Sequence, residues 1–297
     1  MTQFHVVTDS AANFTNPYVM TSSDLTIIPN TLVINGMTLR EDTDIHAEDV
    51  LHFMLEGTRF VIKPPTMDNY LDTFRAIARE GKHVVALLPS RQLKANWHNA
   101  NAAAAQMGYT GITLLDTRLI DAAQGILVNV ALEAIIQQTD AEEVERIIRG
   151  AVDRIYTIFS AKDVETLMQS KILAPSHAKL SEMLGVVPCL TLEDGEFLPI
   201  EKIRTAAQAV ERLLEFVVEF TDIEDAVILQ GQRGLAEVPK MLQDRLMVDF
   251  ADYHFPILTY KPSLASLIGA DATGVVILEK PMEFMDGQRP PDKSGGL

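Results

Sequence analysis

The residues that could do chemistry in this chain are polar side chains that interrupt apolar runs. Residues 4–14, FHVVTDSAANF, begin as an apolar run and stop at Thr8, Asp9 and Ser10. Ser90 ends a second apolar run and is followed by RQLKAN; Asp116 ends a third; Gln230 ends another and leads into Gly231, Gln232, Arg233 and Gly234. Hydroxyls and backbone amides gathered this way hold anions, because the first amides of a helix have no partner within it. Two carboxylates brought together, Asp9 and Asp116, could instead act as acid and base or hold Mg²⁺ for phosphoryl transfer. Local motifs for catalysis are missing: there is no Walker loop, no GxGxxG after a strand, no GxSxG and no HExxH. Nor do the histidines, at 5, 46, 52, 83, 98, 177 and 254, recur at three- or four-residue spacing. The reading is a binding protein with no catalytic residue, no metal and no cofactor.

The elements that must position these groups follow from periodicity. Residues 83–88 (HVVALL) and 112–115 (ITLL) join the first run as buried strands, and 25–33 (LTIIPNTLV) adds another broken at Pro29 and Asn30. Between them, Tyr70, Phe74 and Ile77 fall on one helical face, with Thr66 a natural N-cap and Gly81 a natural stop. An alanine-rich helix over 100–107 and two long helices over 122–138 and 141–154 follow, the second capped by Asp140. Strand and helix in alternation predict a parallel sheet with helices on both faces, whose ligands collect at the strands' carboxyl ends. Residues 39–49, rich in Asp and Glu, read as a solvated loop entering a helix, and His46 and His52 near it suggest no metal. Asn35-Gly36 reads as a tight turn.

Residue 155 begins something new. Short helices are expected at 162–169 and 179–184, then a strand at 186–192 turned back by Asp194-Gly195 into 197–200. Helices at 205–220 and 236–245 alternate with strands at 225–229, 256–260 and 274–278. The expected fold is therefore α/β with two α/β domains. The first, 1–154, is a parallel sheet with helices on both faces; the second, 155–285, is a mixed sheet containing an antiparallel hairpin. Residues 286–297 (DGQRPPDKSGGL) are read as a mobile tail.

With 297 residues, 47% of them hydrophobic, the chain can bury sizeable cores. Its formal net charge of −16 and lack of a basic run argue against nucleic acid and leave small ligands and protein partners. One cysteine, Cys189, allows no internal disulfide, fits a reducing compartment and is read as core. No signal peptide and no apolar stretch long enough for a membrane span is visible, so a cytoplasmic location is expected.

The order of these segments resembles the DegV family, bacterial fatty-acid-binding proteins with two α/β domains. The resemblance is carried by VTDSAANF at 7–14, LTIIPNTLVINGMTLRED at 25–42, the PPT-then-helix segment from 64, LKANWHNA at 93–100, LLDTRLIDAAQGILV at 114–128 and VVPCLTLEDGEFLPIEKIRT at 186–205. It covers residues 3–280. It implies a fatty acid lying in a tunnel between the domains, its carboxylate held by hydroxyl-bearing loops near the first domain's strand ends. Some members present the acid to a separate fatty acid kinase.

This chain departs from the family's pattern at those loops. Ile62, Lys63, Pro64 and Pro65 stand for a Thr-Ser-Gln-Pro segment, and Leu93, Lys94, Ala95 and Asn96 for a Leu-Ser-Gly-Thr loop. Lys261, Pro262, Ser263, Leu264 and Ala265 replace His-Thr-Gly-Pro-Gly, and Ser170, Lys171 and Ile172 replace Gly-Gly-Arg. Three lysines, Lys63, Lys94 and Lys261, thus stand at or beside the altered positions; converging on one pocket they would suit an acidic head group, and otherwise they are solvated surface lysines. The head-group candidates are Ser90, Lys94, Asn96, Lys63 and Lys261, with Asp9 and Ser10 orienting the loops around them. Arg204, by the resemblance, faces the kinase partner; failing that, it pairs with Glu201. The ligand expected is a long-chain fatty acid or related acidic amphiphile. Two alternatives stay open: a protein-interaction module that has lost its ligand, and an enzyme using Asp9 and Asp116.

Overall fold

The computed structural model describes residues 3–138, 140–231, 237–251 and 253–281. The tail at 286–297 and the loop residues Gln232, Arg233 and Gly234 lie outside them. In chain order the elements are β1 (Phe4–Asp9), β2 (Leu25–Ile28), β3 (Thr31–Ile34), β4 (Met37–Arg40), α1 (Ala47–Leu55), β5 (Phe60–Lys63), α2 (Met67–Arg79), β6 (His83–Leu88), α3 (Asn96–Met107), β7 (Ile112–Asp116), α4 (Ala122–Gln137) and α5 (Ala141–Val152). There follow β8 (Ile155–Ser160), α6 (Val164–Gln169), α7 (Pro175–Leu184), β9 (Val187–Glu193), β10 (Glu196–Ile203), α8 (Ala206–Val218), β11 (Ile223–Gln230), α9 (Glu237–Asp249), β12 (Ile257–Thr259), α10 (Pro262–Ile268) and β13 (Thr273–Glu279).

Three sheets result. Strands β2-β1-β6-β7 form a four-stranded parallel sheet. Strands β10-β9-β8-β13-β11-β12 form a six-stranded mixed sheet, parallel only between β11 and β12. The third, β4-β3-β5, is a small antiparallel sheet. It corrects the loop part of the reading of residues 39–49, since β4 takes their start and Glu41 just after it is buried, while α1 is the helix that the segment enters. Polar residues at the end of a short strand carry no periodicity that separates them from a loop.

Local rules account for most elements. Asn35-Gly36 and Asp194-Gly195 both take positive φ, which lets each two-residue turn match the twist of its hairpin. Helix α2 starts on a capping box between Thr66 and Asn69 and buries Tyr70, Phe74 and Ile77. In β6 the side chains alternate: Val84, Ala86 and Leu88 join α2 and α3 in one cluster, while Val85 and Leu87 join α4 in another.

Helix α4 is the centre of the molecule. Residues Ala122 through Val128 are all buried, because the helix lies between two sheets rather than on one. It contacts β1 and β6 on one side and β8, β11 and β13 on the other. A helix apolar all round is one with no solvent face. Its Gly125 is required by the loop crossing it, since a Cβ there would meet the Asn13 carbonyl oxygen at 1.8 Å. On the far face of the six-stranded sheet, Ile158, Ala226, Ile228, Val275 and Ile277 pack with α8 and α9. The thiol of Cys189 is buried in that cluster.

Candidate functional site

The carboxyl ends of β1, β2 and β6 open toward the β4–α1 loop and the start of α10, and buried polar groups collect there. Asp9, the last residue of β1, is fully buried; its Oδ1 accepts the Ala11 amide at 2.8 Å and its Oδ2 has no hydrogen-bond partner among the described residues. Next to it the Ser10 hydroxyl donates to the Glu41 carboxylate and accepts the Asn30 amide at 2.8 Å. The Asn30 side chain donates to the same Glu41 oxygen at 3.1 Å and accepts from Asn96 at 2.9 Å, while Glu41 Oε1 stays unpartnered.

Burial sets the electrostatics. It pushes the Asp9 carboxyl up to about 7, against the pull of the Ala11 amide and with the Glu41 charge adding to the rise. Glu41 is likewise pushed up to about 7 by burial, although Ser10 and Asn30 favour its charged form. Lys94, in the turn between β6 and α3, is half-buried as a residue, and desolvation lowers its ammonium to about 8, with Glu41 and Asp9 holding it up. The Tyr70 hydroxyl, from α2, is buried with no partner of hydrogen-bond geometry among the described residues and is raised well above its ordinary value by desolvation, then by Asp9, with Asn96 opposing the rise.

Lys94 also links the site to the second half of the chain. Its Nζ donates to the Ser266 hydroxyl at 2.9 Å, and Ser266 donates to the Ser263 carbonyl at 2.9 Å. The Ser263 hydroxyl is itself buried and has no hydrogen-bond partner among the described residues. Ser266 lines a cavity of about 340 Å³ with Met54, Phe60, Arg59, Glu165 and Thr166 among its other walls. Such a volume falls within the range of small-molecule sites. On the walls of this cavity polar side chains stand beside the apolar ones, so it is not the wholly apolar tunnel a long acyl chain suggests.

A second junction secures the geometry. Asp121, the N-cap of α4, is fully buried with φ +60° and accepts from the Ala122 amide (2.8 Å), the Asn13 side chain (3.1 Å) and the Lys261 amide (2.6 Å). Burial raises its carboxyl to about 6, opposed by these donors. Asn13 donates also to the Thr259 carbonyl at 3.0 Å. One carboxylate thus ties the loop after β1 to the start of α10.

The structure sorts the residues expected from sequence. Asp9, Ser10, Lys94 and Asn96 belong to one cluster. Ser90 does not serve as a free hydroxyl: it donates to the Gly195 carbonyl at 2.7 Å and so fastens the β9–β10 hairpin tip to the turn after β6. Lys261 is already paired, its Nζ 2.7 Å from Asp42. Lys63 is exposed at the end of β5 and makes no hydrogen bond or ion pair among the described residues. The three lysines therefore do not act together: Lys94 feels the Glu41 and Asp9 charges, Lys261 is paired with Asp42 while still acting on Glu41, and Lys63 stays at the exposed end of β5. Arg204 is exposed and does not pair with Glu201, which is bound by Arg212 at 2.8 Å.

Asp9 and Asp116 are not a pair either. Strand β6 separates their strands, a distance of two strand spacings or about 10 Å. Asp116 is bound by Arg91 (3.2 Å) and caps the Arg118 amide (3.1 Å). The cavity of about 410 Å³ beside it holds three arginines, each engaged: Arg91 by Asp116, Arg118 by Asp153 and Asp194, Arg149 by Glu145. Sequence reasoning missed Glu41, Asn30, Asp121, Ser263 and Ser266. An Asp/Glu-rich segment gives no sign of which carboxylate turns inward.

Comparison with known proteins places this geometry. A family profile described as "Uncharacterised protein, DegV family" matches residues 3–280. A DegV domain-containing protein of Caldanaerobacter subterraneus is 22% identical over 285 residues, covering 94% of this chain and all of the relative. Among solved structures, a fatty acid binding DegV family protein from Streptococcus agalactiae superposes with a TM-score of 0.84 at 22% identity, covering 95% of this chain and all of that one. A DegV family protein from Thermus thermophilus, also reported for fatty acid binding, gives 0.82 at 20% identity over 94% of this chain and all of its own.

Proposed function

The chain belongs to the DegV family, and from that footing we propose that it binds a long-chain fatty acid or related acidic amphiphile between two α/β domains, residues 1–154 and 155–285. The observation that carries this reading is Lys94. A desolvated ammonium whose one hydrogen bond among the described residues goes to a neutral hydroxyl, Ser266, has no anion in direct contact there, because Glu41 and Asp9 act on it without a hydrogen bond or ion pair. A ligand carboxylate at the Ser263 and Ser266 end would supply that anion and give the orphaned Ser263 hydroxyl an acceptor. The acyl chain would leave along the cavity that Ser266 lines, between α1 and β5 on one side and α6 on the other.

Energetics favour the tail over the head. Each buried methylene contributes about 0.8 kcal/mol, so about a dozen supply roughly 10 kcal/mol before ordering costs, against a few for head-group hydrogen bonds. Loss of the family's hydroxyls is therefore compatible with binding.

Binding rather than catalysis is the role this supports, and the protein's location is read as cytoplasmic; none of the described helices is long and apolar enough to cross a membrane. Presentation of the bound acid to a separate kinase would use the face bearing Arg204, which is exposed and whose side chain is unpaired among the described residues. Native mass spectrometry of the protein as purified, followed by organic extraction, tests the reading. A fatty acid at near one per chain is the expected result. No bound lipid and no uptake of added oleate would overturn it and leave the interaction-module reading.

A further inference from the structure

The head-group end is an odd place for an anion, because two buried carboxyl groups, Glu41 and Asp9, already act on the Lys94 ammonium there. Asp9 Oδ2 and Glu41 Oε1 are both buried and have no partner of hydrogen-bond geometry among the described residues, although Asn30 and Asn96 stand near enough to Asp9 to favour its charged form, so each carboxyl has an oxygen that can share a proton with an incoming group. The groups around the pair come from every neighbouring element. Asn30 follows β2, Tyr70 is on α2, Lys94 lies in the turn before α3 and Asn96 opens that helix, Asp42 follows Glu41, and Lys261 precedes α10. Of the two cations, Lys261 is taken by Asp42, which leaves Lys94 as the single ammonium facing two acids. With both acids ionised, a bound carboxylate would add a third negative charge to a buried site holding one positive charge. Such an excess in a desolvated site is unfavourable unless a proton accompanies the ligand.

Resting on the fatty-acid reading above, we propose that a carboxylate amphiphile enters this site together with one proton from solvent, which Asp9 and Glu41 hold and donate as an O–H···O bond to the ligand's carboxylate. The reaction balances as protein plus carboxylate plus proton giving the protonated complex, with no bond to carbon made or broken. Burial already brings both carboxyls up to about 7, so the proton is available near neutrality. The structure thus assigns this site a preference for acids over neutral amphiphiles that strengthens as pH falls.

The test is calorimetry of oleate binding from about pH 6 to about pH 8.5, in buffers of different ionisation enthalpy, with oleyl alcohol as the neutral control. The expected result is little proton uptake near pH 6, where the carboxyls already hold the proton, rising toward one proton per oleate above about pH 7.5, where Kd climbs toward tenfold per pH unit, with oleyl alcohol flat. Glu41→Gln and Asp9→Asn should each reduce the proton uptake. Oleate binding with a flat pH profile and no proton uptake would overturn the proposal while the carrier reading stands. A profile kept in both carboxyl variants and lost in Lys94→Met would overturn it too, assigning the proton to Lys94. No oleate binding by the unmodified protein at any pH would overturn the carrier reading and the proposal together.

Discussion

Glu41→Gln should make the protein more stable at alkaline pH and leave it no more stable in acid. Folding raises the Glu41 carboxyl from its ordinary 4.5 to about 7, chiefly by burial. Below about pH 4.5 the group is protonated in both states and burial imposes no ionisation penalty. Between there and about pH 7 the folded protein holds a proton that the unfolded chain releases, so stability falls as pH rises. Above about pH 7 the penalty is complete, and a shift of roughly 2.5 units corresponds to about 3 kcal/mol. Glutamine removes that penalty and keeps a carbonyl oxygen to accept from Ser10 and Asn30. It also gives up the attraction to Lys94 and places an amide where Oε1 has no partner, each on the order of 1 kcal/mol. The net expectation is a gain of roughly 1–2 kcal/mol near pH 8 that shrinks to nothing or reverses near pH 5. Urea denaturation followed by the fluorescence of Trp97, the single tryptophan, measures it across that range. A difference that is the same at both ends, or a less stable variant at alkaline pH, would refute the reasoning.

Other perturbations separate ties from the site. Asp121→Ala leaves three donors, from Ala122, Asn13 and Lys261, without their shared acceptor and should cost about 3 kcal/mol or more by urea denaturation. Ser90→Ala should cost about 1 kcal/mol without altering oleate affinity, because its hydroxyl serves Gly195 rather than the cluster. Arg118→Ala, which removes exposed bridges to Asp153 and Asp194, should change stability by less than about 1 kcal/mol in the same assay. Lys94→Met should weaken oleate binding by about tenfold or more in equilibrium titration while leaving the unliganded protein at least as stable, since the desolvated ammonium is gone.

Much of the fold is legible along the chain because it is set locally. An unbroken apolar run marks β6, a threonine cap and a 3,4-spaced face mark α2, and Asn35-Gly36 and Asp194-Gly195 mark their hairpins. Each of these signals lies within a few residues of what it specifies. The polar strand end at Asp9 and Ser10 is legible for the same reason, and so is the departure from the family's loops at Lys94 and Asn96. What those residues face is another matter. Glu41 comes from another sheet, Asn30 from a neighbouring strand, and Ser263 and Ser266 from a helix at the other end of the chain. Asp116 and Asp9 look like equals in sequence, yet strand order puts β6 between them and hands Asp116 to Arg91. Lys261 and Lys94 look alike too, until Asp42 pairs with one and burial leaves the other near Glu41 and Asp9 with no ion pair among the described residues. Sequence alone determined which residues are polar at strand ends; only packing around α4 decided which of them lose water together. Burial and the company it imposes, not residue type, set the charge of this site.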